Sequence, residues 1–140
     1  MLKVYVAGAW VEKEERAIPA IKALQAAGVM ITHDWTKEGN EYSNATDSDR
    51  HMPSAERLER AKADMRGVSD ADIVLVLTPK ERGSSGMWTE FGIALGTGKQ
   101  VYIAGENSRR TLFTELPGVH HFETDAMAIA ALTVGARART

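Results

Sequence analysis

The segment Ile73 to Leu77 constrains the fold most: it is a run of consecutive apolar residues without polar alternation. A strand of that kind is covered on both faces, which places it centrally in a parallel sheet with helices above and below. The flanking sequence fits this arrangement. Leu2 to Ala7 is a short apolar run followed by a turn at Gly8 and a helix from about Glu12 to Ala27. In that helix Ile18, Ile21, Leu24 and Ala27 make one buried stripe, and Gly28 supplies the stop. Met30 to His33 reads as a second strand, with Asp34 and Trp35 at its carboxyl end.

Further along, Ser54 reads as the N-cap of a helix whose Leu58, Ala61, Met65 and Val68 trace a core stripe. Gly86 to Gly98 is helical in pattern, Val101 to Ala104 and Val119 to Phe122 are strands, and Asp125 to Val134 is a closing helix. The basic tail GARART is expected to fray. Alternating strands and helices across 140 residues predict a single α/β domain, a doubly wound parallel sheet of about five strands between helical layers. Ligands of such sheets bind beyond the carboxyl ends of the strands. Three segments converge there: Gly8 to Trp10, Asp34 with Trp35, and Gly83 to Glu90. The polar stretch 36–53 reads as one long loop, a binding loop or a simple connection.

Composition narrows the function classes. A net charge of -2 offers no positive field for a nucleic acid polymer. No apolar run approaches the roughly 20 residues that span a bilayer, and the amino-terminal strand lacks the zones of a signal peptide, so the expected location is cytoplasmic. Without cysteine there is no disulfide or thiolate chemistry. His33 and His51 look isolated, and His120 and His121 would point to opposite faces of a strand, so no metal is expected. Neither GxGxxG nor GxxxxGK[ST] occurs, and no cofactor is expected.

The segment GSSGMWTEFGIALGTGK, residues 83–99, carries the most chemistry. A small polar loop leads into a helix, and Ser84 or Ser85 can cap it while its exposed N–H groups and positive dipole end favour a nearby negative charge. On this reading Glu90 is held ionised. Spacing alone leaves two roles open: a favourable acid on a surface helix, or a carboxylate nucleophile. Gly92, Gly96 and Gly98 cost roughly 1 kcal/mol each relative to Ala, which close packing on the sheet would offset. Trp10, Trp35 and Trp88 could stack on a planar ligand or pack in the core.

Together KVYVAGAW, AKADMRGVSDADIVLVL and GSSGMWTEFGIALGTGK, in this order, resemble the nucleoside 2-deoxyribosyltransferase family, which includes related 2-deoxynucleoside 5-phosphate N-hydrolases. The resemblance covers about the first 105 residues with gaps. It implies a flavodoxin-like (Rossmann-like) fold, a homo-oligomer, no cofactor, and substrates that are small nucleosides or nucleotides and free bases. It also implies a covalent glycosyl intermediate on Glu90, with Asp64 associated with proton transfer to the departing base and Tyr5 orienting the nucleophile. Gly8, Trp10, Asp34, Trp35, Gly83, Ser84, Ser85, Gly86 and Met87 are the expected substrate-binding positions. Asn40, Glu41 and Tyr42 fall in the loop where members of the family contact the base.

Such chemistry suits two carboxyl groups in unlike surroundings. A carboxylate under the anomeric carbon stabilises an oxocarbenium-like state or bonds to it, and a second, neutral carboxyl group protonates the leaving base. Free-nucleoside transferases of the family often carry an aspartate six residues before the nucleophile, where this chain has Ser84. In the N-hydrolases a serine at that place helps hold a 5′-phosphate. The AGAW segment resembles the transferases more. Three readings therefore stand: a deoxyribosyltransferase-like enzyme, a nucleoside 5-monophosphate N-glycosidase with the same Glu90 chemistry, and a non-catalytic nucleotide-binding sensor.

Overall fold

The computed structural model describes residues 1–38, 52–81 and 83–139. Within them β1 (Lys3–Gly8), β2 (Met30–Ile31), β3 (Ile73–Leu77), β4 (Gln100–Ala104) and β5 (Val119–Phe122) form one sheet. Its order is β2-β1-β3-β4-β5 and every pairing is parallel. This is the flavodoxin-like order, whose direction of winding reverses between β1 and β3 and leaves a crevice at their carboxyl ends. Four α-helices flank the sheet among the described residues: α1 (Ile18–Ala26), α2 (Ser54–Asp70), α3 (Ser85–Gly96) and α4 (Asp125–Ala138). Helix α1 packs with α4, and α2 packs with α3. No helix of the described residues is long and apolar enough to cross a membrane.

The unbroken apolar run of β3 fits its place, since Val74 to Leu77 are all buried between the helical layers. β1 supplies Val4, Tyr5, Val6 and Ala7, each fully buried. On the α1 side the core is closed by Ala20, Ile21 and Leu24. A π-helical turn, Lys13–Ala17, leads into α1 and aims Arg16 at the ends of two strands. Its guanidinium donates to both carboxylate oxygens of Asp125 at 2.8 Å, to Glu12 at 2.8 Å, and to the carbonyl of Thr78. Gly105 beside it has φ of 120°, and a Cβ there would fall 2.5 Å from Thr78 Oγ1, so no side chain fits.

Several sequence expectations shift in the structure. Strand β2 is only two residues long, because past Ile31 the chain turns away from β1 after the Thr32 N–H donates to the Val4 carbonyl. Ser54 is the first helical residue of α2 and not its cap. The stripe on α2 is not core: Leu58 and Met65 are each 54% exposed, and of the expected residues only Val68 is buried. Helix α2 meets the sheet through its carboxyl-terminal part alone. The final helix runs on through Ala138, so most of the expected frayed tail is ordered helix.

The close approach of α2 to β1 depends on Gly67. A Cβ there would lie 2.8 Å from the Tyr5 ring and 2.8 Å from His33 Cβ. Gly67→Ala gains about 1 kcal/mol of helix propensity. Overpacking against a buried ring typically costs about 1–3 kcal/mol and should win. A lower denaturant midpoint with an unchanged slope is the expected result, and equal or greater stability would show that the contact yields freely.

Candidate active site

Tyr5 points from the middle of β1 into the layer formed by α2 and α3. Its ring is fully buried, and its hydroxyl donates a hydrogen bond to Glu90 Oε2. Glu90 reaches this point because Met87, Phe91 and Ala94 bury the sheet-facing side of α3 and fix the rotation of the helix. Asp64 comes from α2, one turn before Gly67, and its carboxyl interacts electrostatically with that of Glu90. Tyr5, Asp64 and Glu90, far apart in sequence, thus meet in one cluster against the sheet.

The expectation that the helix start would hold Glu90 ionised is overturned. Ser84 precedes the first turn of α3, and Glu90 lies in the second turn, beyond the range at which the terminal dipole acts strongly. Burial dominates instead and pushes the Glu90 carboxyl up to about 8. The Tyr5 hydrogen bond works against this rise, whereas the charge of Asp64 adds to it. Asp64 is pushed up to about 6, first by burial and then by the charge of Glu38, with His33 opposing. Tyr5 is raised far above its ordinary value by burial and by Glu90, so it remains a donor. Displaced carboxyl groups of this kind are a mark of functional sites.

A wider polar arrangement backs Asp64. His33 Nε2 lies 2.8 Å from Glu38 Oε1 and 3.4 Å from Asp64 Oδ1. Arg60 lies 3.5 Å from Glu38 Oε2 and 2.7 Å from Glu56. Asp64 Oδ1 is shielded from solvent and has no hydrogen-bond partner. His33, expected to be isolated, is therefore the centre of this group. His33, Glu38 and Asp64 each place one donor atom within 4.8 Å of the others, a spacing that could hold a metal ion. In this arrangement His33 and Glu38 are hydrogen-bonded to each other.

The other expected substrate positions fall into two sets. Gly8, at the end of β1, lies against the edge of Trp35. Trp35 is 8% exposed and donates its indole N–H to the Val6 carbonyl at 2.6 Å, so most of it is core. Trp10 packs at 6.1 Å from Trp35 and carries Lys13 over its outer face at 3.6 Å. Asp34 caps the short turn that follows it by accepting from the Thr36 N–H at 3.0 Å. Gly83, Ser84, Ser85 and Gly86 form the exposed or half-exposed approach to α3, while the Met87 side chain turns down into the core. Ser84 has a left-handed backbone, φ 62°, and its hydroxyl does not cap the helix, contrary to expectation, and nor does that of Ser85, which lies inside it. Trp88 packs edge-on against Phe91. Asn40, Glu41, Tyr42 and His51 lie outside the described residues.

Sequence reasoning missed Glu38, Arg60 and Gly67. A glycine inside an otherwise regular helix was the one available signal, since it usually marks a close approach.

Residues 4–131 match the family model described as nucleoside 2-deoxyribosyltransferase. The chain belongs to the nucleoside 2-deoxyribosyltransferase family. It is accordingly an enzyme of nucleoside or nucleotide N-glycosidic bonds. Among solved structures, it is similar to the CMP N-glycosidase of Clostridium botulinum, with 19% identity over 94% of this chain and 98% of that one and a TM-score of 0.59. That likeness supports the fold of the family. A search of curated proteins gave no match.

Proposed function

We propose that the protein is a nucleoside 2-deoxyribosyltransferase-like enzyme that cleaves the N-glycosidic bond of a (deoxy)nucleoside through a covalent glycosyl-Glu90 intermediate, passing the sugar to another base or to water. The observation that carries this reading is the contact of Glu90 with both Tyr5 and Asp64 in a largely buried setting. In the first step a Glu90 oxygen bonds to the anomeric carbon as the carbon–nitrogen bond breaks, and its electron pair leaves with the base. Asp64 gives its proton to that base. In the second step a new base or water attacks the anomeric carbon, returns a proton to Asp64, and releases Glu90 as carboxylate.

This chemistry needs the pair to hold one proton, placed on Asp64. At neutral pH the pair holds one proton between them, since burial raises both carboxyl groups above their ordinary values. Positive charge developing on the sugar then favours ionised Glu90.

A second reading, a nucleoside 5-monophosphate N-glycosidase, has its own support. Ser84 stands six residues before Glu90, its hydroxyl is not spent on the helix, and the backbone N–H groups at the start of α3 can receive an anion. The similarity to a CMP N-glycosidase favours it too. Base exchange between a deoxynucleoside and a free base supports the first reading. Release of base from the 5-monophosphate alone supports the second.

The family resemblance also implies a homo-oligomer, and Leu58 and Met65 on α2 are apolar side chains that such an assembly could cover. A purely monomeric sedimentation profile at micromolar concentration would exclude it.

A 2-fluoro-2-deoxy sugar substrate should leave a mass adduct on the peptide containing Glu90. Glu90→Gln should form none and lose at least about a thousandfold in turnover. Intact ligand binding with no adduct on the natural chain would instead support a sensor.

The pH profile of kcat/KM should be a bell. Below about 6 both carboxyl groups are protonated and the nucleophile is lost, and above about 8 both are ionised and the proton donor is lost. Tyr5→Phe should lower the maximum by about 10- to 100-fold, since a hydrogen bond to a charged group contributes about 1.5–3 kcal/mol. The same change should move the basic limb upward. A flat profile from pH 5 to 9 would contradict this proton inventory.

A further inference from the structure

Asp64 must keep a proton near neutral pH if it is to protonate a leaving base, yet it is only partly withdrawn from water, with its side chain 35% exposed. Burial of that degree leaves its protonation open to the charges around it. Those charges come from every element packed on it. Tyr5 faces it from β1 and Glu90 from α3. His33 and Glu38 approach from the segment after β2, and Arg60 lies on its own helix.

Glu38 stands out in this set. It is held from two sides, by His33 Nε2 at 2.8 Å and by Arg60 at 3.5 Å. Its donor oxygen lies within 4.8 Å of that of Asp64. An acid placed there raises the cost of ionising Asp64, so it favours the neutral, proton-donating form. The bond from His33 to Glu38 matters equally. His33 Nε2 sits nearer to Glu38 than to Asp64, at 2.8 against 3.4 Å, and Asp64 Oδ1 makes no hydrogen bond. Glu38 thereby draws the imidazole away from a carboxyl group that it would otherwise ionise.

We propose that Glu38, gripped by His33 and Arg60, is a positioning residue that keeps the transferable proton on Asp64. The inference rests on the glycosidase reading for its consequence in catalysis, but its physical content concerns Asp64 alone.

The test follows the Asp64 carboxyl carbon by NMR in protein labelled at the aspartate side chains, with Asp64→Asn used to assign the signal. It requires no substrate. Glu38→Gln should lower the Asp64 midpoint by roughly half a unit or more, and His33→Gln should raise it, because the two neighbours act with opposite sign. In turnover, Glu38→Gln should lower the maximum of kcat/KM by about threefold or more and shift the acidic limb down, the kinetic counterpart of the same half unit. Thermal melts establish that each variant is folded. Should Glu38→Gln fail to fold, the upward shift in His33→Gln decides the matter.

Midpoints that stay in place in folded variants, or that move in the same direction, would overturn the proposal. So would a uniform loss of activity with an unshifted pH profile, which is what a merely structural Glu38 would give. A natural chain that turns over neither nucleosides nor nucleotides, while the midpoints still move as stated, would count against the glycosidase reading and leave the role of Glu38 standing.

Discussion

The site is organised around a hydrogen bond between the fully buried Tyr5 side chain and the half-buried carboxyl of Glu90. Burial makes ionised Glu90 costly. Tyr5 offsets part of that cost, and the rest is what raises the Glu90 carboxyl to about 8. A carboxylate stabilised completely in the resting protein would be a poor nucleophile, and one left unsupported would never ionise. The single phenol donor holds Glu90 between these limits. Asp64 then differs from Glu90 by being less enclosed and nearer to basic side chains, and this contrast in setting separates the behaviour of two chemically similar groups.

The sheet order explains how such a pair is assembled. With β1 and β3 adjacent at the centre, the helices that follow β2 and β3 lie side by side over β1. Asp64 and Glu90 each come from one of these helices, and Tyr5 from the strand beneath. Gly67 lets α2 settle onto the Tyr5 ring, bringing Asp64 within reach of Glu90. A short β2 contributes as well, because the chain leaves the sheet early and carries His33 and Glu38 back toward α2.

Most of the fold was legible in the sequence because its signals are local. The uninterrupted run Ile73–Leu77 identified a central strand, and the alternation around it identified the layers. The meeting of Tyr5, Asp64 and Glu90 came from family resemblance, since no spacing rule links residues so far apart. Electrostatics was read incorrectly: the helix dipole is visible in sequence, whereas the burial that outweighs it at Glu90 is a property of packing. Leu58 and Met65 misled for a related reason. Helical periodicity shows that a face is apolar but not that the same chain covers it. Glu38 gave no signal at all, as its importance arises from His33 and Arg60 arriving from separate elements.

Arg16 binds the carboxyl ends of β3 and β4 from the α1 side through the Thr78 and Ala104 carbonyls. By tying Glu12, Asp125 and the Thr78 carbonyl together beside Gly105, it closes the upper rim of the sheet on the side of α1 and α4. Elements that are distant in the chain are thereby locked to one another on the α1 and α4 face, while Tyr5, Asp64 and Glu90 meet on the other face under α2 and α3.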